Sequence, residues 1–181
     1  MFQRKLRVKR VIFCLLCLGL VVLVLYYFSN KEKYIKGYAN KIKQGVLYNI
    51  SKIIDGDTVV ANISGSDTLI RLIGIDTPET VDPRKPSQCY GKQASDKAKE
   101  ILMNKNVYLE KEVSKGDYDK YGRVLAHIRL IDDSLYGQYM IENGYAKEYT
   151  FNNEPYKYQK EFKSAQKTAK KEKRGLWGMC K

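Results

Sequence analysis

Residues 50–79 read ISKIIDGDTVVANISGSDTLIRLIGIDTPE. Ile and Val recur on either side of two turn signals, Asp55-Gly56-Asp57 and Ser64-Gly65-Ser66-Asp67. Short β-branched runs bounded by Gly, Ser and Asp are the pattern of strands joined by tight turns. The pattern predicts strands over 46–54, 58–63 and 68–75. If the second and third pair across the Ser64–Asp67 turn, Asp57 and Asp76 lie at the same end of the ladder, with Glu79 three residues on. Three carboxylates around one point repel one another unless a cation sits between them. With no His or Cys nearby the ligands are all oxygen, which favours Ca²⁺ or Mg²⁺ over zinc. Arg71 lies inside the apolar run LIRLIGI, where a guanidinium is costly to bury without an anion. Taken alone, a structural salt bridge with one of these acids explains it equally well.

Outward from this stretch, Pro78, Pro83 and Pro86 crowd a loop that cannot hold regular structure. Residues 91–102 have helical spacing, with Ala94, Ala98, Ile101 and Leu102 on one face. Two further strands are predicted over 107–112 and 123–131. Ser134 can cap a short helix ending near Gly144, and a last amphipathic helix starts near Pro155 and stops at Arg174-Gly175. Five short strands, a helix between the third and fourth and two closing helices describe an α+β fold, a small β-barrel with helices packed against it. Arg123 follows the glycine of Tyr118-Asp119-Lys120-Tyr121-Gly122 at the mouth of the fifth strand. Two arginines beside a divalent cation form a clamp for a phosphate.

The chain has 181 residues and a single His, which leaves little room for a His-rich zinc site or a Ser-His-Asp triad. Its net charge of +13 is concentrated at the N-terminus, where residues 1–46 hold ten basic side chains against Glu32 alone. Five positive charges precede an apolar run over 11–28, which ends in Tyr26-Tyr27-Phe28 without a small-residue cleavage site. Eighteen helical residues reach roughly 27 Å, barely a membrane thickness. The division expected is a cytoplasmic basic segment (1–10), a transmembrane signal-anchor or a cleaved signal peptide (11–28), a linker (29–45), a domain (46–178) and a short tail (179–181). The positive end stays in the cytoplasm, which places the domain outside the cell membrane or, after cleavage, in the medium.

The segments IIDGDTV, IRLIGIDTPET, YGKQAS, DKYGRVLA and GLWG, in this order and spacing, resemble the staphylococcal thermonuclease family. The resemblance runs from about Ile50 to Trp177. It implies a five-stranded oligonucleotide/oligosaccharide-binding (OB-fold) barrel that hydrolyses DNA and RNA with one Ca²⁺ per domain and leaves 3′-phosphate ends. By position, Asp57 and Asp76 match the carboxylate ligands and Thr77 the residue that gives a main-chain carbonyl. Glu79 matches the proposed general base, and Arg71 and Arg123 the phosphate clamp. Lys85, Lys120 and Tyr121 match residues near a terminal nucleotide phosphate. The base-stacking stretch is one residue shorter here, which leaves Tyr149 as the stacking candidate and Phe151 as either platform or core. Single-stranded or denatured nucleic acid is the substrate expected, and a monomer the form.

Other residues carry weaker signals. His127 reads as a strand histidine bonded locally, and Trp177 as packing. Cys89 and Cys180 both fall in the exported half, where disulfides persist; paired, they tie the C-terminal helix to the barrel, and the alternative is two free thiols. The alternative to hydrolysis is an inactive nucleic-acid-binding barrel at the cell surface, but such a module does not need Asp57, Asp76, Glu79, Arg71 and Arg123 together.

Overall fold

Strand alternation carries over directly into the computed structural model, which describes residue 13 and residues 15–30, 42–80 and 87–180. In chain order, the domain comprises β1 Leu47–Ile53, β2 Thr58–Ile63, β3 Ser66–Leu72, β4 Ile75–Asp76, α1 Gly91–Leu102, β5 Asn106–Glu110, β6 Val124–Arg129, α2 Tyr136–Glu142, β7 Lys147–Glu148, α3 Gln159–Lys171 and α4 Leu176–Met179. Strands β1-β2-β3-β6-β5 close a barrel, and β4 and β7 form a separate two-stranded sheet. The α+β barrel expected from the sequence is therefore present.

The β2–β3 ladder runs from Thr58↔Arg71 to Ile63↔Ser66, so the turn is the dipeptide Ser64-Gly65. Both turn residues have positive φ, which suits the right-handed strand twist, and the Asn62 side chain accepts the Gly65 N–H at 3.0 Å. The turn is thus two residues shorter than expected, because Ser66 and Asp67 already pair. In β1 the register shifts between Ile50 and Lys52, a bulge that turns both Ile50 and Ile53 inward. The parallel β3–β6 pair follows from the chain passing through α1 and β5 before it returns.

Ile50, Ile63 and Ile70 are fully buried inside the barrel, and each contributes about 1.5–3 kcal/mol of apolar transfer energy. Helix α1 places Ala94, Ala98 and Leu102 in the core, as its spacing predicts. Tyr136 of α2 is fully buried and donates its hydroxyl to the Gly56 carbonyl at 2.8 Å, which fastens the helix to the first turn.

Several local expectations change. The third strand ends at Leu72, and the chain kinks at Gly74 (φ 83°) before β4 pairs with β7. Ser134 does not cap α2: its N–H and hydroxyl both bond Asp132, at 3.0 and 2.6 Å, and Leu135 takes the cap position. Pro155 precedes α3, which starts at Gln159, because Lys157 and Tyr158 both bind Glu110 of β5. Ile42 already belongs to the core, ahead of the boundary read at 46, and the last helix runs to Met179. Residues 15–30 are helical and exposed along their length. Among the described residues no helix is long and apolar enough to cross a membrane. The spanning helix expected over 11–28 is thus not supported there; residues 1–12, 14 and 31–41 lie outside the described residues.

His127 of β6 is 3% exposed and sits against Tyr158, with ring centroids 4.9 Å apart. Its Nε2 is 3.4 Å from a carboxylate oxygen of Glu112, whose other neighbours are the Lys157 N–H and the Ser114 hydroxyl. Burial pushes the imidazole pKa below its ordinary 6.5, against the opposing pull of Glu112. Next to it, Glu110 binds Arg129, Tyr158 and Lys157. Burial alone would raise the Glu110 carboxyl, but these partners outweigh it and hold it low.

Two predictions follow from this packing. The Cys89–Cys180 disulfide joins residues 91 apart, with a Cα–Cα distance of 5.9 Å. Cross-linking a loop of that length removes unfolded-state entropy, so Cys180→Ser should lower unfolding free energy by about 2–4 kcal/mol in urea titrations. An unchanged midpoint would show that the bond contributes nothing to stability. The second concerns His127, which is more easily protonated unfolded than folded. Its contribution is fully present above pH 6.5 and is lost as pH falls through the lower folded value. Measured against His127→Gln, which cancels the opposite contribution of the Asp55 carboxyl raised to about 7, the wild type should lose stability as pH falls below 6.5, with an extra slope of at most about 1.4 kcal/mol per pH unit. Glu110 and Glu112, whose folded pKa values lie below 4.5, add their losses only at lower pH. A His127→Gln protein with the same slope between pH 6.5 and 5 would refute the assignment.

Candidate active site

The β2–β3 register puts Arg71 opposite Thr58, and the Leu72 N–H donates to the Asp57 carbonyl at 2.9 Å. That brings Asp57 and Arg71 together at the open end of the hairpin, as the sequence predicts. Asp57 is 6% exposed, so its carboxylate must be satisfied within the protein. One oxygen, Oδ1, accepts the Thr58 hydroxyl at 2.9 Å. The other, Oδ2, accepts the Thr77 N–H at 2.9 Å and the Thr77 hydroxyl at 3.2 Å, and stands 3.3 Å from Arg71 Nη2. The same Nη2 is 3.7 Å from Asp76 Oδ1. Arg71 Nη1 donates to the carbonyls of Leu72 and Ile75, at 2.7 and 2.9 Å, so the guanidinium also braces the kink between β3 and β4.

Asp57, Asp76 and Thr77 thus meet as expected. Glu79 does not complete a tight triad with them. Among the described residues no group of three or more His, Cys, Asp or Glu side chains is close enough to hold a metal ion by itself. The expectation of three acids at one point is corrected to two carboxylates that share Arg71. Glu79 acts at longer range, and its Oε1 accepts the Thr80 N–H at 2.9 Å. A neighbouring guanidinium relieves the repulsion that would otherwise separate the two aspartates.

Negative potential nevertheless accumulates here. Burial and then the charge of Asp57 push the Asp55 carboxyl up to about 7. Burial and the same neighbour raise Asp76, in spite of Arg71 and Lys147, and Glu79 adds to both shifts. The chemistry of this set, oxygen donors whose negative charge is incompletely balanced, fits a hard cation.

Arg123 reaches the site from the other side. Its Nη1 donates to Thr58 Oγ1 at 3.3 Å, and that hydroxyl donates onward to Asp57. Asp119 holds the rest of the guanidinium, with Oδ2 2.7 Å from both Nε and Nη2, while Oδ1 accepts the N–H groups of Tyr121 and Arg123 at 2.9 and 3.0 Å. Lys120 and Arg123 both lie over the Tyr121 ring, at 5.0 and 5.4 Å from its centroid, and Tyr121 is 66% exposed. Lys120, Tyr121 and Arg123 therefore form one patch. The Tyr149 N–H bonds the Gly74 carbonyl at 3.0 Å, beside the kink, and both Tyr149 and Phe151 are exposed, which removes Phe151 from the core. Lys85 lies outside the described residues.

Sequence reading missed Asp119 and Thr58 as partners of the arginine. An Asp three residues before a Gly, at the head of a turn, is the signal for the first; nothing local marks the second, whose role arises from the barrel register. Gly56 has a steric role, since a Cβ there would stand 2.6 Å from Thr77 Cγ2. Gly56→Ala should therefore cost about 1–3 kcal/mol by forcing Thr77 from Asp57. Wild-type stability in urea would mean that Thr77 yields freely.

Known proteins of one family resemble the chain over most of its length. The family model described as Staphylococcal nuclease homologue matches residues 69–179. A thermonuclease of Staphylococcus hyicus is 41% identical over 130 residues, which cover 72% of this chain and 75% of the relative. One from Staphylococcus intermedius is 37% identical over 165 residues, 90% of this chain and 94% of the relative. Endonuclease YncB of Bacillus subtilis is 30% identical over 152 residues, 83% and 71% of the two chains. With its barrel matched across most of its length at this level, the chain belongs to the staphylococcal nuclease family.

Proposed function

We propose that this protein is a Ca²⁺-dependent endonuclease that hydrolyses DNA and RNA phosphodiesters and leaves 3′-phosphate ends. The observation that carries the reading is the chain Arg123–Thr58–Asp57–Arg71, two hydrogen bonds and an ion pair that link two guanidiniums through one buried carboxylate. The thermonuclease and endonuclease names of the relatives support the same chemistry.

When bound by Asp57, Asp76 and the Thr77 carbonyl, Ca²⁺ supplies positive charge for a phosphoryl oxygen and orients water. Glu79 takes the proton of the attacking water. Arg71 and Arg123 neutralise charge that grows on the phosphate oxygens, and Arg123 also serves the departing 5′ oxygen. Such donors are most effective when already oriented, and Asp119 keeps Arg123 oriented. Lys120 and Tyr121 meet the terminal phosphate, Lys85 is assigned there too, and Tyr149 offers a stacking face to an unpaired base. Single-stranded or denatured substrate suits a site that needs a splayed strand, and a single chain holds every group used, consistent with a monomer.

Export is part of the proposal. The Cys89–Cys180 disulfide belongs in an oxidising compartment, and the basic, apolar N-terminus reads as an anchor in the cell membrane or a cleaved signal.

The test is release of fluorescence from labelled, denatured DNA by the full chain. Cleavage should require Ca²⁺ and stop with a calcium chelator. Glu79→Gln should retain DNA binding and lose about 10²–10⁴ in kcat, the usual worth of a general base. Cleavage indifferent to the chelator would sink the metal assignment, and full activity in Glu79→Gln would sink the base. DNA bound but uncut under any divalent ion would favour the inactive binding module.

A further inference from the structure

Glu79 lies on the connection between β4 and α1, and Gln88 closes the base of that connection. The Glu79 N–H donates to the Gln88 side-chain Oε1 at 3.0 Å, and the Gln88 N–H donates back to the Glu79 carbonyl at 3.0 Å. The pair imitates an antiparallel bridge, with a side-chain amide replacing one main-chain acceptor. The ends of the connection also touch sterically: a Cβ at Gly91 would stand 3.1 Å from the carbonyl oxygens of both Pro78 and Glu79. Because the Glu79 carboxylate bonds its own neighbour, the Thr80 N–H, its direction follows the backbone that Gln88 holds.

Gln88 is held in turn from its far side. Its carbonyl accepts the Gly91 N–H at 3.0 Å, and the next residue, Cys89, is bonded to Cys180. The Cys180 N–H donates to Leu176, whose N–H donates to Gly144, so the bond reaches the body of the domain at a point remote in sequence. Gln88 and Cys89 are exposed, within reach of a small reductant.

We propose that Gln88 is a positioning residue for Glu79, and that the Cys89–Cys180 bond tightens this clamp, so that its oxidation state sets the turnover rate. The inference rests on the reading of Glu79 as the base. Reduction by a dithiol breaks the S–S bond, delivers two electrons and two protons to give two cysteine thiols, and converts the dithiol to its own cyclic disulfide. Gln88 then loses the covalent tie that its neighbour Cys89 has to the C-terminal helix and keeps only hydrogen bonds.

The experiment combines kinetics and amide exchange on the full chain, well below the melting temperature of every variant. Gln88→Met keeps the length of the side chain and removes the acceptor; kcat should fall about tenfold with KM unchanged, since small misplacements of a reacting group are costly. Gln88→Glu, which keeps an acceptor oxygen, should recover most of the rate. Dithiothreitol should lower wild-type kcat in the same way and leave the Cys89→Ser/Cys180→Ser protein, already slow, unaffected. In each slowed form the Glu79 amide should exchange faster. Faster exchange with unchanged kcat, or a change in melting temperature alone, would overturn the positioning role and leave the nuclease reading intact. A wild-type oxidised protein that does not cleave at all would remove that reading, and this inference with it.

Discussion

A buried carboxylate must find its partners inside the protein, and in this domain the Asp57 carboxylate draws three separate stretches of chain to one point. Thr58 belongs to β2, Arg71 to β3, and Thr77 to the loop after β4. Each contact satisfies a charge that solvent cannot reach, so the register of the hairpin, the kink at Gly74 and the direction of the following loop are mutually dependent. The Arg71 bonds to the carbonyls of Leu72 and Ile75 make the same guanidinium serve both the charge and the kink. A one-residue slip of β3 would move Arg71 to the other face and leave Asp57 with an uncompensated charge.

The charge balance differs between two regions of the barrel. Around Asp57 the carboxyls of Asp55 and Asp76 are raised, burial and like charge prevailing over the arginine and lysine nearby. Around Glu110 and Glu112 the carboxyls are lowered, because Arg129, Lys157, Tyr158 and the main chain more than offset burial. The second region is a settled network that docks the segment before α3 onto β5 and β6. The first retains unbalanced negative charge, the condition in which a cation gains most by binding. Such an arrangement separates the part of the fold that stabilises from the part proposed to react.

Asp119 and Gln88 do comparable work at the margins. One holds Arg123 through both carboxylate oxygens, and the other holds the backbone of Glu79 through a reciprocal pair. Both stand in connections rather than in barrel strands, where a side chain must supply the order that a ladder supplies elsewhere. The disulfide at Cys89 adds a covalent restraint at the connection that carries Glu79.

Much of this was legible in the chain itself. Alternating Ile and Val separated by Asp-Gly and Ser-Gly turns specify strands and hairpin, because side-chain period and turn conformation are local properties. The placement of Asp57 and Asp76 at one end followed from pairing, since a hairpin converts spacing into distance, and the observed register adds Arg71 opposite Thr58. The cap at Ser134 and the helix start at Pro155 were misread because other partners competed: the neighbouring Asp132 took the serine, and Glu110 of β5 took Lys157 and Tyr158. The Thr58 bridge between the arginines, the Gln88 clamp and the Cys89–Cys180 pairing depend on contacts between residues 9 to 91 apart. Residue types and their order thus determined by themselves the strands, the acids and the arginines. Only the closed barrel decided which of those groups touch, because distances between remote residues are set by packing that no local window contains.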